Sequence, residues 1–301
     1  MEYRLIPNTE IEVSTLCLGT MTFGDPVKEK EAIHIVDWAI DHGINFIDTA
    51  DMYEGYTRTM GSPGGVTEEI LGMALKGKRD QVIVTTKVGN AIGDDSYRGA
   101  GLSRSHIMHQ IDASLKRMQT DYTDFYHLHR PDPDTPLGES IAVMAELIQA
   151  GKVRHWGFSN FEVEQIREML QLCEVNSWPR PVISQPNYSW LNREVEEEHL
   201  PLCRKEAIAV TPFKVLEGGL LTGKYRKGQE APGDSRNSEN PGWIAFEMDD
   251  DLFTQLDEFE NKAKEKSRSP VRHAVTWVLE QGGVASVVLG LKRPDQLEDL
   301  L

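Results

Sequence analysis

The chain has 301 residues, with 48 acidic against 32 basic side chains and a formal charge of −16. That balance argues against a nucleic-acid partner, which needs a basic surface, and against docking on an anionic membrane. Hydrophobic residues at 39 % and charged residues at 27 % are ordinary globular composition, and the length fits either two average domains or one α/β barrel.

Taken in chain order, the opening Met1–Val13, with Pro7-Asn8-Thr9 turning between alternating flanks, predicts a hairpin. Short apolar runs then alternate with helical periodicity. A strand at Thr15–Leu18 precedes a helix at Lys28–His42, where Ile33, Val36 and Ile40 recur at helical spacing until Gly43. Strand Asn45–Asp48 leads to helix Thr67–Lys76, and Val82–Thr86 leads to Ser103–Met118, with Ser103 as its cap. Asp124–Leu128 is followed by helix Leu137–Ala150, which Gly151 ends, and Val153–Phe158 by Glu162–Leu172. Strand Val182–Gln185 precedes helix Glu194–Glu206. Strand Ile208–Thr211 precedes a long stretch, Glu217–Asp250, rich in Gly, Pro, Ser and Asn, then helices Asp251–Lys266 and Pro270–Gln281. Ser286–Leu289 is the last strand.

Apolar strands without polar alternation, regularly interleaved with helices, predict a parallel sheet covered on both faces. Eight of them define an α/β protein of the (β/α)8 TIM-barrel type, one domain over 1–301, with an N-terminal hairpin and long mouth loops. An open doubly wound sheet is the competitor, but no Gly-x-Gly-x-x-Gly follows an early strand. Cys17, Cys173 and Cys203 are widely separated and odd in number, so neither a zinc spacing nor a disulfide framework is suggested. No apolar run approaches the roughly 18 residues of a membrane span and no leader pattern opens the chain, so a cytoplasmic protein without a membrane partner is expected. Nothing in the sequence sets an oligomeric state.

In a barrel of this kind chemistry sits where strands end. Asp48 closes the second candidate barrel strand, with Tyr53 just beyond it; Lys87 follows the third and His129 the fourth. Ser159 and Asn160 follow the fifth, and Gln185 ends the sixth. Singly, each is an ordinary capping or structural residue; as a set on adjacent strands they can converge at one mouth. A phenol, which ordinarily titrates at a pH of about 10, is a poor acid at neutral pH. A neighbouring ammonium favours phenolate, and a carboxylate fixes that ammonium in place, so Tyr53, Lys87 and Asp48 make a tuned proton donor. His129 would orient and polarise a carbonyl oxygen. His127 and His129 share a strand face, a pattern also used by metal-dependent hydrolases on this fold. His155 is the one further candidate ligand, since His199 and His273 fall in helices, so the first coordination shell is incomplete and no metal is expected. Trp156, Trp190 and Trp243 are read as packing residues, the last two close enough to the mouth to line an apolar pocket.

These residues carry a family resemblance. Asn45-Phe46-Ile47-Asp48-Thr49-Ala50-Asp51-Met52-Tyr53, Thr86-Lys87 and His129-Arg130-Pro131 resemble the aldo-keto reductase pattern. Gly151-Lys152-Val153-Arg154-His155-Trp156-Gly157-Phe158-Ser159-Asn160-Phe161 and Gly219-Leu220-Leu221-Thr222-Gly223-Lys224-Tyr225 are similar to two further family motifs in the same order. The layout is closest to the branch containing bacterial aldo-keto reductases and potassium-channel β subunits. The resemblance implies NADPH-dependent reduction of a small-molecule carbonyl, or oxidation of an alcohol in reverse. It assigns Tyr53 as acid/base, Asp48 and Lys87 as its tuners and His129 as the orienting residue. Ser159, Asn160 and Gln185 would hold the nicotinamide carboxamide, Phe213 would stack on the ring, and Gly19 and Thr20 would lie beside it. Lys214, Leu216 and Gly218 belong to the same cofactor strand end. Lys224 and Arg236 would clasp the phosphates, and Gly290, Lys292 and Gln296 would form the adenosine-phosphate segment. There, Lys292 or Arg293 and the exposed N–H groups of the last helix would favour NADP(H) over NAD(H).

The sequence departs from the family pattern in several places. The Glu54–Val66 loop, with Gly61-Ser62-Pro63-Gly64-Gly65, is longer than usual; Lys214 replaces a common Ser; Asp299-Leu300 replaces an Asn in the last helix; and a longer C-terminal tail is expected beyond Leu301. The alternative activity is a redox-sensing regulatory subunit with slow turnover, against which His129 speaks because channel subunits typically lack it. The metal-dependent hydrolase is the remote alternative.

Overall fold

The computed structural model describes residues 1–56, 58–59, 61–93, 101–240 and 244–301; Trp243 lies outside them. The hairpin forms from β1 (Tyr3–Leu5) and β2 (Glu12–Ser14), antiparallel, with Arg4 opposite Val13. Ile6 and Val13 are buried against Cys17, Phe46, Phe125, Ile183 and Ala285, so the hairpin plugs the end of the barrel away from the strand termini.

The barrel strands are β3 (Leu16–Gly19), β4 (Phe46–Asp48), β5 (Ile83–Val88), β6 (Thr123–Leu128), β7 (Val153–Ser159), β8 (Ile183–Gln185), β9 (Ala209–Val210) and β10 (Val287–Gly290). All pair in parallel in the order β10-β3-β4-β5-β6-β7-β8-β9. The ring closes between its edge strands: Ala285 N–H donates to the Val210 carbonyl at 2.8 Å and Val288 N–H to the Pro212 carbonyl at 2.9 Å. Every predicted strand is present. One face of each strand supplies the interior; the other, including Leu18, Ile47, Val84, Tyr126, Trp156 and Phe158, packs under the helices.

The outer helices are α1 (Glu29–Asp41), α2 (Val66–Ala74), α3 (Arg104–Arg117), α4 (Leu137–Gln149), α5 (Val163–Asn176), α6 (His199–Lys205) and α9 (Pro270–Leu279). Ser103 caps α3 by accepting the His106 N–H at 3.4 Å, and Ser269 caps α9 by accepting the Arg272 N–H at 3.0 Å, with Pro270 in the first turn, where no N–H is needed. The helix expected over Glu194–Glu206 is broken into a 3-10 turn, Glu194–Glu196, and α6. Pro201 explains the break: inside one continuous helix it would remove a hydrogen bond and clash with the Glu197 carbonyl, whereas α6 places it in a first turn.

The long loop after β9 carries short helical segments. Glu217–Thr222 forms 3-10 turns, Arg236–Glu239 forms the short helix α7, and α8 (Asp250–Glu265) follows. Leu220, Leu221 and Tyr225 bury against Leu252, Leu256 and Phe259, a satellite core that anchors the loop beside the mouth. Trp190 packs into this cluster, 5.6 Å from Phe259 and 5.1 Å from Trp277 between ring centroids, which accounts for it as packing. After β10, the segment read as a final helix is a 3-10 helix, Pro294–Leu300.

Candidate active site

The register that sets Asp48 beside Thr85 brings the end of β4 against β5, and alternation turns Lys87 into the barrel. Lys87 is fully buried. Its Nζ donates to Asp48 Oδ2 at 2.6 Å, to the Thr49 carbonyl at 2.8 Å and to the Tyr53 hydroxyl at 3.2 Å, using all three ammonium donors. Tyr53 is fixed through its backbone: its N–H donates to Ala50 at 3.1 Å, and its carbonyl accepts the Thr67 N–H from α2 at 3.1 Å.

Burial works against the Lys87 charge, but Asp48 and Tyr53 outweigh it and hold the Lys87 pKa above its ordinary value. For Tyr53 the balance runs the other way from the expectation drawn on residue types alone. Burial raises its pKa; Lys87 pulls it down, while Asp48 and Asp51 push it up, and the net result is a phenol above its ordinary value. The arrangement therefore keeps Tyr53 protonated, as a donor.

His129 follows β6, its ring edge-on to Tyr53 with centroids 5.9 Å apart. Burial, then Lys87, His127, Arg130 and Arg58, hold its pKa well below the ordinary imidazole value, so it is neutral. A polar chain runs from this side to the lysine. Asn160 Nδ2 donates to the His129 carbonyl at 2.9 Å and to Ser159 Oγ at 3.0 Å, and Ser159 Oγ donates to the Gln185 carbonyl at 2.6 Å. Gln185 Nε2 in turn donates to Asp48 Oδ1 at 2.7 Å. Asn160 adopts φ 62, a left-handed conformation that Asn tolerates. Gln185 thus commits its amide nitrogen to Asp48, a duty its position at a strand end did not reveal.

Beside Asp48 and Tyr53 opens a cleft of about 420 Å³. Gly19, Thr20, Gln185 and Phe213 line it near the tyrosine, followed by Lys214, Leu216 and Gly218. Lys224, Arg236, Gly290, Lys292 and Gln296 line it as well. Of the residues expected at a cofactor, only Ser159 and Asn160 are not on its wall; they adjoin it through Gln185. Lys292 Nζ donates to the Asp234 carbonyl at 2.8 Å and pairs with Glu239. The N–H groups of Lys292 and Arg293, expected to be exposed, donate to Gln296 Oε1 at 2.8 and 3.4 Å. Lys224 has its pKa lowered by burial and by the like charges of Lys292 and Arg236, although Asp234 and Glu239 oppose this. An apolar wall beside Tyr53 and a cationic end fit a long, flat, anionic dinucleotide.

Behind the tyrosine lies a cluster that strand-end reasoning missed, because it faces the helices. Glu68 of α2 is buried, accepting Thr86 Oγ1 at 2.5 Å and Arg117 Nε at 2.7 Å. The Asp51 carboxyl is buried beside it, its pKa pushed well up by burial and by Glu68. The Glu at the start of the α2 pattern was legible as a polar residue on a buried helix. His127 is buried inside the barrel, and among the described residues no three His, Cys, Asp or Glu side chains are grouped to hold a metal ion. Nor is any described helix long and apolar enough to cross a membrane.

A (β/α)8 barrel with an Asp–Lys–Tyr chain at its mouth, opening onto a cleft, defines a barrel oxidoreductase. The family model described as the Aldo/keto reductase family matches residues 15–301, and the chain belongs to that family, whose members generally use nicotinamide cofactors. Aldo-keto reductase YhdN of Bacillus subtilis (strain 168) is 36 % identical over 308 residues, covering 100 % of this chain and 88 % of its own length. A probable voltage-gated potassium channel subunit beta of Arabidopsis thaliana is 34 % identical over 306 residues, covering 99 % of this chain and 90 % of itself. The structure of the glycerol dehydrogenase AKR11B4 from Gluconobacter oxydans is similar with a TM-score of 0.81 and 29 % identity, over 99 % of this chain and 88 % of that one.

Proposed function

We propose that the protein reduces aldehydes or ketones with NADPH, and oxidises the corresponding alcohols in reverse, as a single cytoplasmic barrel domain over 1–301. The observation that carries this reading is the buried Asp48–Lys87–Tyr53 chain opening onto the cleft. NADPH, when bound, supplies the hydride. Tyr53 supplies the proton to the carbonyl oxygen: the phenol stays protonated in the resting protein, and the adjacent Lys87 ammonium stabilises the phenolate left behind. Asp48 holds that ammonium in place, and Gln185 holds Asp48. Neutral His129 donates to the carbonyl oxygen, adding stabilisation as charge develops there. Phe213 offers the flat face for the nicotinamide ring, and Lys224, Arg236 and Lys292 meet the phosphates. The basic residues at that end support NADPH over NADH.

The test is consumption of NADPH with a panel of reactive aldehydes, and formation of NADPH from NADP with alcohols and sugars. Turnover in either direction upholds the reading. No turnover in both, with tight NADPH binding and co-purification of a membrane protein, would replace it with a redox-sensing subunit.

A further inference from the structure

The charges behind Tyr53 do not balance, and the proposed reaction does not use them. Asp51, two residues before Tyr53, and Glu68 of α2 are both fully buried. Glu68 takes up the cation at hand: its Oε2 accepts Arg117 Nε at 2.7 Å, and its Oε1 accepts Thr86 Oγ1 at 2.5 Å. Arg117 donates as well to Ser114 Oγ at 3.2 Å. Arg58, the other guanidinium that acts on Asp51, pairs with Glu54 at 3.6 Å and donates to the Ala91 carbonyl. Neither Asp51 oxygen has a side-chain hydrogen-bond partner among the described residues, and the Met52 N–H is the backbone donor near it. Two buried carboxyls thus share one guanidinium, an arrangement in which both do not stay ionised. Glu68, with a donor on each oxygen, carries the charge, and Asp51 keeps a proton.

The loop after Tyr53 closes over this cluster. Gly64, at φ +63, lies so near the Asp51 carbonyl that a Cβ would collide with it, and Gly65, at φ +81, lies as near the Arg117 side chain. The Asp51 N–H donates to the Lys87 carbonyl at 3.2 Å, which ties the residue to the end of β5. Tyr126 of β6 faces the same cluster; its phenol is buried, has no hydroxyl partner and is pushed well up by burial, Asp51 and Glu68, so it is neutral and offers no compensation. The charged and titratable groups around Asp51 are therefore Glu68, Arg117, Arg58, Tyr126 and Tyr53. Burial and Glu68 push the Asp51 carboxyl well up against the pull of Arg117 and Arg58. Charge on Asp51, once present, raises Tyr53 in turn.

We propose that Asp51 is held as a neutral acid by ionised Glu68 and is a positioning residue for Tyr53: it gives up its proton only in alkaline solution, and its charge then holds the proton on Tyr53. The second half rests on the acid/base role given to Tyr53 above. Infrared spectroscopy at neutral pH tests the first half, on the wild type, on protein labelled with carbon-13 at the aspartate side-chain carboxyl, and on Asp51→Asn. The wild type should show the carbonyl stretch of a protonated carboxylic acid, the aspartate label should move it, and Asp51→Asn should lack it. No such band, a band the label leaves in place, or one that survives in Asp51→Asn overturns the neutral Asp51. The pH dependence of alcohol oxidation, which needs Tyr53 to accept a proton, tests the second half. In Asp51→Asn its alkaline rise should come about one pH unit lower than in the wild type, whereas loss of packing alone would lower the rate at every pH without moving the rise. A rise at the same pH in both proteins overturns the role of Asp51 and leaves the acid/base role of Tyr53 intact. A wild type that neither consumes NADPH nor oxidises an alcohol overturns the Tyr53 reading and the Asp51 role together, while the infrared band still decides the neutral acid.

Discussion

Asp48→Asn keeps the shape of the side chain and removes its charge. Of the three acceptors around Lys87 Nζ, Asp48 Oδ2 at 2.6 Å is the only ionised one; the others are the Thr49 carbonyl and the Tyr53 hydroxyl. The ammonium has no exposure to water, so the variant leaves an uncompensated buried charge, at a cost of about 3–5 kcal/mol, or drives Lys87 to lose its proton. Lys87→Met is the converse: it strands the Asp48 carboxylate with Gln185 Nε2 as its remaining side-chain donor and costs a similar amount. The double variant Asp48→Asn/Lys87→Met contains neither charge and should lie within about 1–2 kcal/mol of the wild type, because a buried pair replaced on both sides is nearly neutral. Urea unfolding of the four proteins reads the coupling, and turnover is measured on the same samples. Stability should return in the double variant while turnover stays down by about 10²–10⁴-fold, since the phenol has lost the ammonium beside it. Additive destabilisation, or a double variant with near-wild-type turnover, would refute the reasoning.

The other predictions follow from single features. His127 is buried, and burial and Lys87 keep its pKa well below the ordinary imidazole value, so below about pH 6.5 the unfolded chain binds a proton that the native chain does not. Stability therefore falls on acidification; His127→Leu should make that fall shallower by about 1.4 kcal/mol per pH unit near pH 5–6, and equal slopes by urea unfolding would disprove it. Gly72 of α2 lies against the Arg117 backbone of α3, so Gly72→Ala should cost about 1–3 kcal/mol, whereas Gly138→Ala in α4, with Leu172 no nearer than 3.9 Å, should gain up to about 1 kcal/mol. Thermal unfolding distinguishes the two signs. Lys292→Met/Arg293→Met should raise the KM for NADPH about tenfold or more and leave that for NADH within about twofold; equal effects would remove these residues from cofactor selection.

The order of strands and helices was readable because parallel barrel strands are continuous apolar runs and their helices carry a buried stripe, as Ile35 and Val36 show in α1. Asp48, Tyr53, Lys87 and His129 were readable because a barrel directs strand-end side chains to one mouth. What the sequence hid depends on contacts between distant segments. Gln185 was placed at the mouth, but its bond to Asp48 requires the register of β8 and β4 across the barrel. The pKa direction of Tyr53 turned on how deeply it is buried, which neighbouring residue types do not tell. The Glu194–Glu206 helix failed on one residue, Pro201, whose tolerance depends on its place within the turn. The meeting of Tyr56 with Arg236 joins two irregular loops that periodicity does not place.

The central claim is that Tyr53 protonates a carbonyl beside bound NADPH. Single-turnover mixing of preloaded protein with a reactive aldehyde, in the wild type and in Tyr53→Phe, addresses it directly. Tyr53→Phe should bind NADPH with unchanged fluorescence perturbation and lose hydride transfer by at least about 10²-fold. Hydride transfer at the wild-type rate in Tyr53→Phe would contradict that role.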